Sequence, residues 1–401
     1  MLFQQIASKR RRNGLLVSIT LLALALLLFG WGAPRLQGQG QPPSGDPQKQ
    51  APPPEAGGPQ TDVGPYAVPK KKEEPPPPPP EKPKKIEGMP DYSIRVDVPL
   101  VNVDALVATK DGQFVPGLKK ENFKVYEDGV PQTVSNFNQS EAPITAVLLV
   151  EFAQGDYYFI PDILDASYAF AGTLKKEDWL AVISYDMKPA ILADFTQDKS
   201  QVYGALHQLR MPMFTETNLF DALYDTLDRL DRVEGRKYVI LVTTGIDTFS
   251  KLTLDQIMKK IKNTSNITIF PVSVGFAVRE YFESHGMAAP HGFGIPVSHI
   301  DYLQADNQLN AFARMTGGRA FFPRFYAEYR SIFQDIGSDI RNQYSLAYRP
   351  TNPKLDGSYR KLKVEVVAPD GGPLKVRDQH GKDVKYQVIA REGYTARHAV
   401  E

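Results

Sequence analysis

The chain has 401 residues, enough for two domains of ordinary size, but its 33 prolines crowd towards the first hundred positions, so not all of it can be globular. A formal net charge of +1 gives no global case for nucleic acid or for strongly acidic partners. The absence of cysteine excludes disulfides, thiol catalysis, thiolate metal sites and a lipidated cysteine anchor.

Residues 1–40 read as a signal peptide or membrane anchor. Lys9, Arg10, Arg11 and Arg12 precede the apolar run LLVSITLLALALLLF, the order of an export signal whose amino end stays in the cytoplasm. Cleavage after Ala33 would place Pro34 at the scissile bond, which favours a retained anchor. Either way the remainder is expected outside the cytoplasm: on the periplasmic face of the inner membrane if anchored, periplasmic or secreted if cleaved. Residues 41–90 form a disordered proline-rich linker with six consecutive prolines, 75–80, and too few apolar residues to offset the entropy of ordering. Polyproline II rises about 3.1 Å per residue, so such a tether reaches at most on the order of 150 Å.

Residues 91–141 alternate apolar and polar with period two, through Ile94, Val96 and Val98 and then Val101, Val103 and Ala105. Asp111-Gly112 and Asp128-Gly129 are hairpin turn signals. From 142 to 342 strands and helices alternate. Strands are expected at 146–150, 180–185, 191–195, 238–243, 268–274 and 319–322. Helices are expected at 162–174, 199–209, 218–233, 254–263, 302–315 and 327–341. In 218–233, Leu219, Ala222, Leu223, Leu227 and Leu230 share one helical face, while Asp225, Asp228 and Asp231 read as an exposed one. Residues 343–396 return to β segments. The resulting fold class is α/β, a doubly wound mostly parallel sheet inserted in a small β-sandwich-like module made by the two flanks.

The run TAVLLVEFAQGD marks a strand buried on both faces that ends in Glu151, at the carboxyl edge where open sheets gather ligands. Thr217, just before LFDAL, is placed as a helix N-cap. His285, His291 and His299 match no zinc spacing. The Gly- and Pro-rich stretch 276–300 reads as a recognition loop with Phe276, Tyr281, Phe282 and Phe293 as contact residues. No nucleophile elbow, HExxH pair or Walker-type loop occurs, and Asp186, Asp194 and Asp198 are scattered, so an enzyme is not expected.

VLLVEFAQGD, FTETNLFDAL, YVILVTTGIDTFS and ITIFPVSVG occur in the order and spacing of a von Willebrand factor type A domain, which they resemble. The flanks resemble a bacterial VWFA-related family first noted in acidobacteria. The resemblance implies a divalent metal held at the sheet edge by Asp-x-Ser-x-Ser, a Thr and a later Asp. Carried over by position, Glu151 takes the first Asp, Ala153 and Gly155 the two serines, Thr217 the Thr and Thr244 the later Asp. Magnesium wants six oxygens in near-octahedral geometry at about 2.0–2.1 Å. Ala153 and Gly155 supply none from a side chain. No cofactor is therefore expected, and the edge positions are assigned to binding geometry. The alternative keeps Mg²⁺ or Mn²⁺ on Glu151 and Thr217 with compensating acids from Asp156, Glu216 or Asp247. The function expected is a non-enzymatic, envelope-tethered module that binds a protein partner, touching membrane only through its amino-terminal segment.

Overall fold

The computed structural model describes residues 100–397 apart from 140–141, 154–159, 210–213, 215, 276–279, 281–283, 287–297, 326 and 378–380. The amino-terminal segment, the linker, Ile94, Val96, Val98, Gly155, Asp156, His291 and the loop aromatics Phe276, Tyr281, Phe282 and Phe293 lie outside the described residues.

Two four-stranded antiparallel sheets form the sandwich, and each draws strands from both ends of the chain. The first runs β14 (Tyr386–Ala390), β1 (Val101–Thr109), β10 (Tyr344–Tyr348), β4 (Val134–Gln139). The second runs β15 (Gly393–Thr395), β11 (Tyr359–Val366), β2 (Phe123–Glu127), β3 (Val130–Gln132). A short pair, β12 (Val376–Arg377) and β13 (Asp383–Val384), adds a separate ribbon. Alternation sets the register: Val103 faces Leu346 across β1 and β10, and Val125 faces Val364 across β2 and β11. The β2–β3 turn has Asp128 at φ 48° and Gly129 at φ 83°, the positive pair that a two-residue hairpin needs. Within the sandwich Glu127 and Arg360 form a buried ion pair at 2.9 Å. Tyr348 and Tyr394 donate to Glu127 Oε2 at 2.6 and 2.9 Å, so the buried carboxylate is paired and hydrogen-bonded.

Between β4 and β10 the chain builds the α/β domain. Its sheet has the order β7 (Pro189–Thr196), β6 (Trp179–Tyr185), β5 (Ile144–Glu151), β8 (Arg236–Thr243), β9 (Ile267–Ser273). All pairs are parallel except β6 with β7, which are joined by a hairpin. Every residue of β5 is buried, as a central strand covered on both faces requires. Leu148 and Val150 pack with α1 (Ile160–Thr173), α2 (Lys199–Leu206) and α6 (Ala327–Arg341) on one face. Val147 and Leu149 pack with α3 (Leu219–Asp231), α4 (Leu254–Lys262) and α5 (His299–Thr316) on the other. Leu219, Leu223, Leu227 and Leu230 of α3 are all buried, each contributing roughly 2 kcal/mol of transfer free energy. Helix α1, which follows β5, and helix α3, which precedes its neighbour β8, lie on opposite faces, so a crevice opens at the carboxyl end of β5.

Five expectations need correction. Residues 319–322 make no strand: Phe321 alone bridges to Val272, because Gly318 lies against the Ile269 carbonyl and Pro323 has no N–H to extend the ladder. Helix α5 starts at His299 rather than at 302, where Ser298 and Asp301 form a reciprocal capping box. Thr217 does not cap α3, as described below. The acidic face of α3 is not left wholly to solvent, since Asp228 and Asp231 meet Lys260 of α4 at 3.1 and 2.8 Å. Asp198, read as a stray acid, caps α2 by accepting from the Ser200 N–H at 2.9 Å.

The two parts meet through specific contacts. Arg236 lies 3.4 Å from Asp104 of β1, and Arg391 donates to the Thr264 carbonyl at 2.9 Å. A Cβ on Gly317 would lie 2.8 Å from the Arg391 nitrogen, so the helix end and β14 approach backbone to backbone. On α6, Asp339 is buried beside Arg319, whose guanidinium is 2.9 Å from Oδ2 without hydrogen-bond geometry. Burial outweighs that cation, and the Asp339 carboxyl is pushed up to about 7.

Candidate functional site

Glu151 ends β5 at the crevice, and the longer side chain turns inward instead of reaching out. Only 2% of its surface is exposed. Oε2 accepts from Thr243 Oγ1 at 2.6 Å and the Thr244 N–H at 2.8 Å, and lies 3.2 Å from Tyr185 Oη. Oε1 accepts from Thr244 Oγ1 at 2.9 Å. The Tyr185 hydroxyl lies nearer Thr243 Oγ1, at 2.8 Å, so its single proton goes there and Thr243 passes its own to Glu151. Thr243 Oγ1 also accepts from the Gly245 N–H at 2.9 Å. Burial pushes the Glu151 carboxyl up, and the hydrogen bonds from Thr243 and Thr244 oppose that shift. The carboxyl group thus ties together the ends of β5, β6 and β8.

The neighbouring positions are equally committed. Ala153 is buried and offers no side-chain oxygen. Thr217 is fully buried and donates its hydroxyl to the Ile246 carbonyl at 2.8 Å, while its N–H donates to Thr248 Oγ1 at 2.9 Å. The Thr217 carbonyl accepts from the N–H groups of Thr248 and Phe249 at 3.0 and 2.8 Å. The loop before α3 and the loop after β8 are therefore zipped together. Asp247 completes this closure: its Oδ1 accepts from the Phe220 N–H at 3.2 Å and from Ser250 Oγ at 2.5 Å. Ser250 accepts from the Asp221 N–H, and Asp221 accepts from Lys251 and Leu252. Asp247 is thus engaged at the helix start that Thr217 was expected to cap, and burial pushes its carboxyl up. Glu216 is half-buried, one residue before Thr217.

A divalent ion does not fit the residues present. Both Glu151 oxygens face protons inside the wall, Thr244 gives its hydroxyl proton to Glu151, and Thr217 gives its own to a neighbouring carbonyl. Magnesium would have to displace these bonds, and the described residues bring no further carboxylate group to complete its octahedron. Among the described residues no group of three or more His, Asp or Glu side chains converges to hold a metal. His285 lies beside Ser284, and His299 opens α5. Sequence reasoning missed Tyr185 and Thr243, the two hydroxyls behind Glu151. Their signal was position: each is the last residue of a strand flanking β5.

The fold is an open, doubly wound sheet with loops gathered round the carboxyl end of its central strand, the place where ligands collect in open α/β sheets. Residues 157–301 match the family model of the von Willebrand factor type A domain, and the chain carries a domain of that type. The matched span includes Thr217 and Thr244 and begins beyond Glu151, Ala153 and Gly155. A comparison with curated proteins returned no match. Similar solved structures include a von Willebrand factor type A protein from Catenulispora acidiphila, with TM-score 0.39 and 10% identity over 73% of this chain and 73% of that one. The vWF domain of the type V pili tip protein Mfa5 from Porphyromonas gingivalis gives TM-score 0.34 and 13% identity, covering 50% of this chain and 96% of that one. The PilB minor pilin from Streptococcus sanguinis gives TM-score 0.38 and 10% identity, covering 51% of this chain and 63% of that one.

Proposed function

We propose that this chain is a non-enzymatic, extracytoplasmic module that binds a protein partner through the carboxyl edge of its α/β sheet, without a metal ion. The amino-terminal apolar segment and the proline-rich linker hold it to the cell envelope. One observation carries the binding reading. Among the described residues eight large hydrophobic side chains are exposed, and six of them, Phe214, Phe249, Leu254, Ile300, Leu303 and Phe325, lie on loops and helix starts at this edge. Apolar side chains gathered at one end of a domain cost solubility unless a partner covers them. The Glu151, Thr217, Thr244 and Asp247 side chains beneath them are already hydrogen-bonded internally, so the edge presents shape and apolar surface rather than open coordination sites. The alternative, a Mg²⁺- or Mn²⁺-dependent adhesion domain, requires Glu151 to leave its donors and turn outward.

The test is capture from an envelope fraction with the full chain as bait, compared with a Phe249→Ser/Ile300→Ser variant. The proteins retained by the unaltered chain are expected to be lost from the variant, in the presence of a chelator as well as without it. Unchanged capture by the variant, or capture abolished by the chelator, contradicts this reading.

A further inference from the structure

A second surface lies at the opposite end of the sheet, where α4 and α5 meet β11. A cleft of about 490 Å³, open to solvent, is lined there by Met258, Met315 and Leu362 together with Lys262, Arg314 and Lys361. Met315 and Leu362 are buried and Met258 is half-buried, so they make the floor, whereas the three cations are exposed. Helical spacing produces this layering. Met258 and Lys262 are four residues apart on α4, and Arg314 sits next to Met315 on the face of α5 that Ala311 shares. Lys361 projects from β11 on the opposite wall.

Charge in the cleft is unbalanced. Glu392 is the one acid in its lining, and it is taken by Arg314 at 3.1 Å. Lys262 lies over the Tyr359 ring, 5.7 Å from its centre, and Lys361 stands across from it with no acid in the lining left to offset the two. A cationic rim above a methionine floor suits a ligand that pairs an apolar group with carboxylates. Methionine adapts to side chains of varied shape, and rim charges select sign more than they add raw affinity. Because the cleft is open, an extended chain can cross it with both ends continuing outward.

The geometry points to this cleft as a docking site for an acidic peptide segment of a protein partner. One apolar side chain enters between Met258 and Met315, and carboxylates on either side meet Lys262 and Lys361. The occupant contacts the inserted domain and the sandwich together, so it braces the seam between them. This surface is independent of the apolar rim, and a partner could use either without the other.

The probe is a fluorescein-labelled, end-capped peptide with a central phenylalanine flanked on each side by glutamates, titrated with the full chain and followed by polarisation. Saturable binding is expected, weakening by about tenfold or more in the Lys262→Glu/Lys361→Glu variant and falling as ionic strength rises. The same variant should instead bind a peptide in which lysines replace the glutamates, a reversal that a merely destabilised protein would not show. The Phe249→Ser/Ile300→Ser variant should bind the acidic peptide unchanged, which separates this site from the rim. Absence of saturable binding by the unaltered chain, or equal binding of the acidic peptide by the charge-reversed variant, overturns the assignment.

Discussion

Glu151 illustrates how one methylene and two hydroxyls decide what a buried acid does. The longer side chain reaches the end of β8, where Thr243 and Thr244 supply three donors between them. Replacing it by alanine leaves those buried donors without an acceptor, so Glu151→Ala is expected to cost about 2–4 kcal/mol in denaturant unfolding. Glu151→Asp is expected to cost roughly 1–3 kcal/mol, because the shorter carboxylate pulls away from the same donors. Neither loss should be recovered by adding Mg²⁺. Asp339 provides a test by pH. Its carboxyl is pushed up to about 7, against roughly 3.9 in an unfolded chain. Between those values the folded chain holds a proton that the unfolded chain has lost. The stability contribution is therefore fully present below about pH 4 and is lost as pH rises through about 7, an effect on the order of a few kcal/mol. Asp339→Asn should flatten that part of the stability–pH curve, and an unchanged slope would show that the carboxyl ionises normally.

At the scale of elements, the loop between β8 and α4 acts as a clasp on the start of α3. Asp247 supplies the acceptor for the Phe220 N–H, a capping role from a residue 27 positions away along the chain. Removing it in Asp247→Ala should lower stability by about 1 kcal/mol, with a larger local effect seen as faster amide exchange at Phe220 and Asp221. This is also where sequence reading reached its limit. Strands β5, β6 and β8 were legible within two residues because a continuous apolar run bounded by loop residues has few other uses. Helix α3 was legible from its leucine spacing. The cap was not, because Thr217 carries the right chemistry for one and only the fold shows that its hydroxyl faces the Ile246 carbonyl. For the same reason the composition of the edge was readable and the inward turn of Glu151 was not: its donors lie 92 and 93 residues away in the chain.

For the whole molecule, the two sheets of the sandwich interleave strands from before and after the inserted domain, with β1 pairing β10 and β2 pairing β11. The hairpin signals and alternating segments foretold strands at both flanks, and only the register could show that each sheet takes from both. Cutting the chain to residues 142–342 removes the partners of Arg236 at Asp104 and of the α5 end at β14. That fragment is expected to melt at a lower temperature than the full chain and to aggregate more readily. Equal melting temperatures would mean that the inserted domain stands independently of the sandwich.

On the proposed reading, the chain's own hydroxyls and amides close the carboxyl edge in place of a cation. Calorimetric titration of the full chain with Mn²⁺ tests it most directly. No saturable heat and no rise in melting temperature are expected, in the unaltered chain and in Glu151→Asp alike. A saturable, stoichiometric uptake by the unaltered chain that disappears in Glu151→Ala and in Thr217→Ala would contradict it.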